Sequence, residues 1–182
     1  MWCILNSVTA NRLSPLAVTL RAGAVADAPA ISKLLMAAVE RHVLTEISDE
    51  GRALYLAQIT PDQLATKLEN SASYRFYLAY AGDELVGVAA LEDKAHLLYL
   101  FTHNQHHRRG IASILWQQAR QDALAAGNPG FFTVDASRYA LAAYWRLGFL
   151  PQGPAVEHNG VCFVPMAMRR TKARENHVSD PA

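Results

Sequence analysis

The sequence predicts a mixed α/β (α+β) domain organised on one central sheet. Three observations predict it: an apolar fraction of 51% in 182 residues, enough for one compact core; a strand-rich block over residues 74–102; and helical-period segments on both sides of that block. The predicted order is strand, helices, three antiparallel strands, helix, strand, helix, strand. Where the antiparallel meander gives way to a strand-helix-strand unit, such a sheet opens into a crevice, and a ligand is expected there.

Each element has a local reason. Residues 16–21 are a short run containing Val18 and Thr19, ended by Gly23, and form the first strand. Asp27 and Pro29 are the cap and first-turn proline of a helix whose Ile31, Leu34, Leu35 and Ala38 recur at helical spacing. Residues 48–58 form a second helix, and Pro61 starts a third whose Leu64 and Leu68 share a face. Residues 74–81 and 84–91 are strands joined through Gly82-Asp83, and Asp93-Lys94 turns the chain into a third strand, 95–102. Residues 110–126 carry Ile111, Ile114, Leu115 and Ala119 on one helical face before Gly127 stops the helix. A short buried strand (131–134), a helix ending at Gly148 (137–147) and a last strand (161–168) complete the domain. Residues 1–16 read as a flexible leader, 17–169 as a single domain, and 170–182 as a disordered tail.

Composition removes several function classes. With 17 basic and 16 acidic side chains there is no overall field to steer the chain onto nucleic acid or an acidic membrane, so any anion site is local. Cys3 and Cys162 lack CxxC spacing and lie at opposite ends of the chain, which indicates neither a disulfide framework nor a zinc knuckle and fits a reducing cytoplasm. Neither cysteine has the context of an activated nucleophile. No basic segment precedes the first apolar residues, and no apolar run approaches the ~20 residues needed to span a bilayer. A monomer or homodimer in the cytoplasm is expected.

The segment with the most chemistry runs from Phe101 to Ser113. A helix start presents unpaired N–H groups and partial positive charge, and His107-Arg108-Arg109-Gly110-Ile111-Ala112-Ser113 leads into one. Gly110 and Ala112 let the backbone approach a diphosphate closely. Arg108 and Arg109 stand at the positive helix end, where each cation costs roughly 0.3–1 kcal/mol. Either the two guanidinium groups extend into water, which screens that cost, or a bound polyanion turns it into attraction. His103, His106 and His107 invite a metal reading. It is set aside because no thiolate is near and no carboxylate occurs between Asp93 and Asp122, so no metal is expected.

These residues resemble the GCN5-related N-acetyltransferase (GNAT) superfamily, whose cofactor pattern is Gln/Arg-x-x-Gly-x-Gly/Ala. His107-Arg108-Arg109-Gly110-Ile111-Ala112 matches it except at the first position. The surroundings match as well: Leu100-Phe101-Thr102 precedes it like the family's fourth strand, and Val134-Asp135-Ala136-Ser137 leads to Ala143-Tyr144-Trp145-Arg146-Leu147-Gly148-Phe149, like the family's later helix and Gly-Phe ending. The likeness spans residues 17–169. It implies a mostly antiparallel central sheet of about six to seven strands, flanked by helices and splayed at the acetyl-CoA site. It also implies an acyltransferase that uses acetyl-CoA as co-substrate and an amine acceptor as second substrate.

By the same resemblance the backbone of Leu100, Phe101 and Thr102 pairs with the pantetheine arm, which behaves like an added strand. His107, Arg108, Arg109, Gly110, Ile111, Ala112 and Ser113 hold the pyrophosphate. Asp135 stands where the family often has asparagine, and Ser137 either contacts the cofactor or caps the helix. Tyr144 occupies the position of the family's tyrosine that hydrogen-bonds the cofactor sulfur and acts as general acid; its helical spacing with Ala140 and Leu147 also fits a core aromatic. A phenol titrates near ~10 and a thiol near ~8.5, so stabilising a thiolate by a hydrogen bond is easier than full proton transfer. A base or water chain must deprotonate an alkylamine. Glu92 and His96 flank a turn between central strands, Glu40, Glu46, Glu157 and His158 lie in segments that resemble the family's acceptor-side elements, and sequence alone selects none of them.

A different class of protein, a catalytically weak coenzyme A sensor or scaffold on the same fold, shares the cradle and is separated from an enzyme by turnover. A third, another nucleotide-binding α/β domain, is disfavoured because the chain has neither a P-loop lysine nor a GxGxxG turn.

Overall fold

The computed structural model describes residues 17–42 and 47–169. The expected leader and tail, with Cys3 and Glu46, lie outside them. The elements are β1 (Thr19–Ala22), α1 (Ala28–His42), α2 (Asp49–Ala57), α3 (Pro61–Glu69), β2 (Tyr74–Ala81), β3 (Glu84–Glu92), β4 (His96–Thr102), α4 (Ile111–Ala125), β5 (Phe131–Ala136), α5 (Leu141–Arg146), β6 (Leu150–Pro151), β7 (Val156–His158) and β8 (Val161–Arg169). They form an eight-stranded, mostly antiparallel sheet in the order β1-β2-β3-β4-β5-β8-β6, with β7 paired to β8.

Each sheet face buries its own core. On one side α4 lays Ile111, Leu115, Trp116 and Ala119 against Leu97, Phe132, Val134 and Phe149. On the other, α1 and α3 lay Ile31, Leu35, Leu64 and Leu68 against Phe76, Leu78, Val88 and Tyr99. Leu35, Leu64, Leu78 and Leu115 are all at 0% exposure, each worth roughly 1.5–3 kcal/mol of burial.

Two irregularities in the sheet open the site. The register of β3 with β4 passes from Ala90↔Tyr99 to Leu91↔Leu97, so Leu98 is an extra, bulged residue in β4. The bulge turns Leu98 and Tyr99 toward the same core, while Leu97 and Leu100 serve the opposite one. In addition, β4 and β5 run parallel but register at one pair, His96↔Thr133, where Thr133 N–H donates to Ala95 O at 3.0 Å. Beyond that apex the strands part toward Thr102 and Ala136. This is the expected crevice between the meander and the strand-helix-strand unit.

Three details differ from expectation. The helix expected over 137–147 is a 3-10 turn (Arg138–Ala140) followed by α5. Two short strands, β6 and β7, were not expected: β6 has two residues, and β7 is exposed throughout and shows no alternation. Asp27 does precede α1, but its carboxylate turns back, accepting from Ala24 N–H at 2.8 Å and from both terminal nitrogens of Arg21 at 2.7 and 2.6 Å.

The start of α2 is fixed from across the chain. Ser48 caps it by accepting from Gly51 N–H at 3.2 Å, and Ser48 N–H donates to Gly160 O at 3.2 Å. A Cβ on Gly51 would lie 2.5 Å from Gly160 O, and Gly160 itself sits at φ +73°. Glycine at both positions therefore lets α2 dock on the β7–β8 turn.

Candidate active site

The crevice is part of one cavity of about 1250 Å³. One end is the helix start. Gly110 is the N-cap of α4 at φ +82°, and Arg108 is left-handed as well at φ +60°. No side chain caps α4 and its first turn holds no acidic residue, so its leading N–H groups have no side-chain acceptor at the helix start. A Cβ built on Gly110 meets nothing within 4 Å: glycine is needed there for its backbone conformation, with open space in front of it. Among the described residues neither Arg108 nor Arg109 makes an ion pair. His107, the departure from the family pattern, ties the loop to the sheet through a 3.2 Å hydrogen bond between Nε2 and Thr102 O, which occupies that carbonyl.

The fold brings Leu100, Phe101, Thr102, His107, Arg108, Gly110, Ile111, Ala112, Ser113, Asp135, Ser137 and Tyr144 to the cavity wall. Arg109 is exposed and is not part of that wall. Ser137 makes no capping hydrogen bond with its side chain, so helix capping does not account for its hydroxyl.

Tyr144 packs as a core aromatic and also lines the cavity. It is 9% exposed and packs edge-on against Phe149, ring centroids 5.8 Å apart, yet it also lines the cavity. Burial, reinforced by the nearby Tyr55 phenol, pushes its titration well above the ordinary phenol value. Such a phenol stays neutral at ordinary pH.

Of the titratable candidates for receiving an amine proton, His96 and His158 line the cavity. His96 is at the splay apex with Nδ1 2.9 Å from Thr133 Oγ1. Glu92 accepts from Tyr74 O–H at 2.8 Å and is not on the cavity wall; Glu40 and Glu157 are exposed away from it. Desolvation raises the Asp135 carboxyl above its usual range, opposed by the charge of His96, which places the two groups within electrostatic reach.

Sequence reasoning missed the opposite wall. Tyr55 of α2, Gln58 just past its end and Lys67 of α3 line the same cavity. Burial pushes the Tyr55 phenol up to about 12. Lys67 Nζ donates to Gln58 O at 3.2 Å, and desolvation lowers its pKa, with Glu92 opposing. The i, i+3 spacing of Tyr55 and Gln58 is a visible polar-aromatic pair on a helix, but only the docking of α2 on Gly160 shows which way it faces.

A splayed sheet whose crevice ends at an uncapped, cationic helix start defines a class by its fold: a mixed α/β domain with one cavity running between the parted strands and that helix start. The profile of the acetyltransferase (GNAT) domain matches residues 43–170, well over half of the chain, and the protein belongs to that family. Among solved structures it is similar to a GCN5-related N-acetyltransferase from Rhodopseudomonas palustris (22% identity, 83% of this chain and 94% of that one, TM-score 0.71). It is also similar to the PaiA N-acetyltransferase of Thermoplasma acidophilum, solved in complex with coenzyme A (16% identity, 84% and 99%, TM-score 0.70). An acetyltransferase from Corynebacterium glutamicum gives 22% identity, 87% and 99%, and a TM-score of 0.60. At these identities the likeness establishes the fold. No curated protein matches the chain in sequence. Among the described residues no helix is long and apolar enough to cross a membrane.

Proposed function

We propose that the protein is a cytoplasmic N-acetyltransferase that moves an acetyl group from acetyl-CoA to an amine, by direct attack within a ternary complex. The observation that carries this reading is the continuity of one cavity from the α4 cradle, through the β4–β5 splay, to Tyr144 and on to the wall formed by α2 and α3. The residues present fit acetyl-CoA. The free N–H groups of Ile111, Ala112 and Ser113 face an anion site, with Arg108 adding charge, and the parted edge of β4 offers backbone groups to an amide-rich arm.

Tyr144 donates a hydrogen bond to the sulfur as the thioester breaks, lowering the barrier without full transfer of its proton. His96, at the apex, is the group assigned to take up the ammonium proton of the acceptor, with Thr133 orienting its ring. Tyr144→Phe tests the reading. It removes one hydroxyl from a packed ring, so kcat should fall about 10- to 100-fold, equivalent to about 1.4–2.7 kcal/mol, while acetyl-CoA affinity stays within about twofold. Unchanged turnover would remove Tyr144 from the chemistry.

A further inference from the structure

Outside the reaction centre, one cluster gathers metal-ligating groups from separate segments. Glu84 opens β3, and His103 and His106 belong to the turn between β4 and the α4 cradle. One ligand atom of each lies within 4.8 Å of the other two, and His106 Nε2 is 3.5 Å from Glu84 Oε2. Ligand atoms around a four-coordinate cation with bonds near 2.0–2.2 Å stand about 3.3–3.6 Å apart. The Glu84–His106 spacing of 3.5 Å already fits, and His103 lies within 4.8 Å of both.

A second observation concerns the environment of His106. Both ring nitrogens are shielded from solvent on a side chain only 13% exposed and neither makes a hydrogen bond; Nε2 has only the 3.5 Å contact with Glu84, and Nδ1 has no partner. Buried polar atoms are normally satisfied, and an orphaned imidazole facing a carboxylate and a second imidazole is an exception that needs a cause. The sequence argument against a metal rested on the lack of a nearby thiolate and of a carboxylate between Asp93 and Asp122; no thiolate joins the cluster, but the β2–β3 hairpin brings a carboxylate from outside that stretch, Glu84.

We propose that Glu84, His103 and His106 form a site for a divalent transition metal of the zinc class, which clamps the β2–β3 hairpin to the turn that leads into the cradle. Two imidazoles and one carboxylate suit zinc, cobalt, nickel or ferrous iron, in preference to magnesium or calcium. His103 Nδ1 accepts a long 3.4 Å contact from Gln105 N–H, and ligation through either ring nitrogen requires its release. His103 therefore joins last and contributes least. His106 also lines the cavity, so the clamp would stiffen a wall shared with the ligand site. The proposal does not depend on acetyl transfer.

The test is zinc titration of the untagged full chain in competition with a chromophoric chelator. One site with micromolar or tighter affinity is expected, weakened at least about tenfold by Glu84→Gln and by His106→Gln, and unaffected by Glu69→Gln, an exposed carboxylate in α3. The Glu84 side chain is 53% exposed, so its variant should fold, and thermal melts of the metal-free proteins check this. Zinc should also raise the thermal midpoint of the wild type and not that of either ligand variant. Absence of a saturable site of micromolar or tighter affinity, or zinc affinity in the Glu84 and His106 variants equal to that of the wild type, would overturn the proposal.

Discussion

Gly110→Ala separates a ligand-binding role of the helix start from a purely conformational one. The wild-type residue is at φ +82°, where an L-residue costs about 1–2 kcal/mol, and its Cβ would meet no protein atom within 4 Å. Stability should therefore fall by about that strain alone, a midpoint shift of roughly 2–8 °C for a domain of this size. The added methyl projects into the space where a diphosphate would approach the N–H groups of Ile111 and Ala112. Displacing it there should weaken acetyl-CoA binding at least about tenfold, or about 1.4 kcal/mol. Gly127→Ala is the control: it sits at φ +96° at the other end of α4, also with nothing within 4 Å, and carries the same strain away from the cavity. Isothermal titration with acetyl-CoA and a melt on both variants are sufficient. If Gly110→Ala binds like wild type, or Gly127→Ala loses as much affinity, the cradle does not hold the pyrophosphate.

Two further perturbations probe the scaffold. Asp27 is held below the usual carboxylate range chiefly by its hydrogen bonds from Arg21, helped by Ala24 N–H. A lowered folded pKa adds stability that is present above the unfolded value near ~3.9 and is lost as pH falls through the folded one. Because Arg21 is 47% exposed, Asp27→Asn should cost only about 0.2–1 kcal/mol at pH 7 and flatten the acid limb of the stability curve below about pH 4; an unchanged acid limb would contradict this. Gly160→Val places side-chain atoms against Ser48 and Gly51 at a positive φ, so it should displace the start of α2. The expected kinetic signature is a KM for the amine raised several-fold with acetyl-CoA affinity retained; a lost acetyl-CoA affinity with unchanged amine KM would place α2 on the wrong side of the reaction.

Much of the fold could be read locally because its signals are local. Ile111, Leu115 and Ala119 lie at helical spacing and are all buried under α4, while Ile114, counted on the same face, is 36% exposed at its edge. Gly82-Asp83 and Asp93-Lys94 turn where their chemistry says they should, with Gly82, Asp93 and Lys94 all at positive φ. What escaped depends on contacts between distant residues. The run His96-Leu97-Leu98-Tyr99-Leu100 gives no sign of a bulge, because only pairing with Ala90 and Leu91 makes Leu98 the extra residue. Tyr55 joins the cavity through the docking of α2 set by Gly51 and Gly160, about a hundred residues apart in the chain, and Lys67 through the packing of α3 beside α1. Glu84 reaches His106 because β2 and β3 form a hairpin beside the end of β4. The start of α4 at Gly110 was legible for the opposite reason, since a helix start and the glycine before it are neighbours in sequence.

The most direct test of acetyl transfer is release of free CoA from acetyl-CoA by the purified chain across a panel of small amines, polyamines, amino acids and peptide N-termini, with acetyl-CoA binding measured in parallel. Amine-dependent release that is saturable, first order in enzyme and reduced in Tyr144→Phe is the predicted result. Tight acetyl-CoA binding with no amine-dependent release anywhere in the panel would contradict it and make the protein a coenzyme A sensor on the same fold.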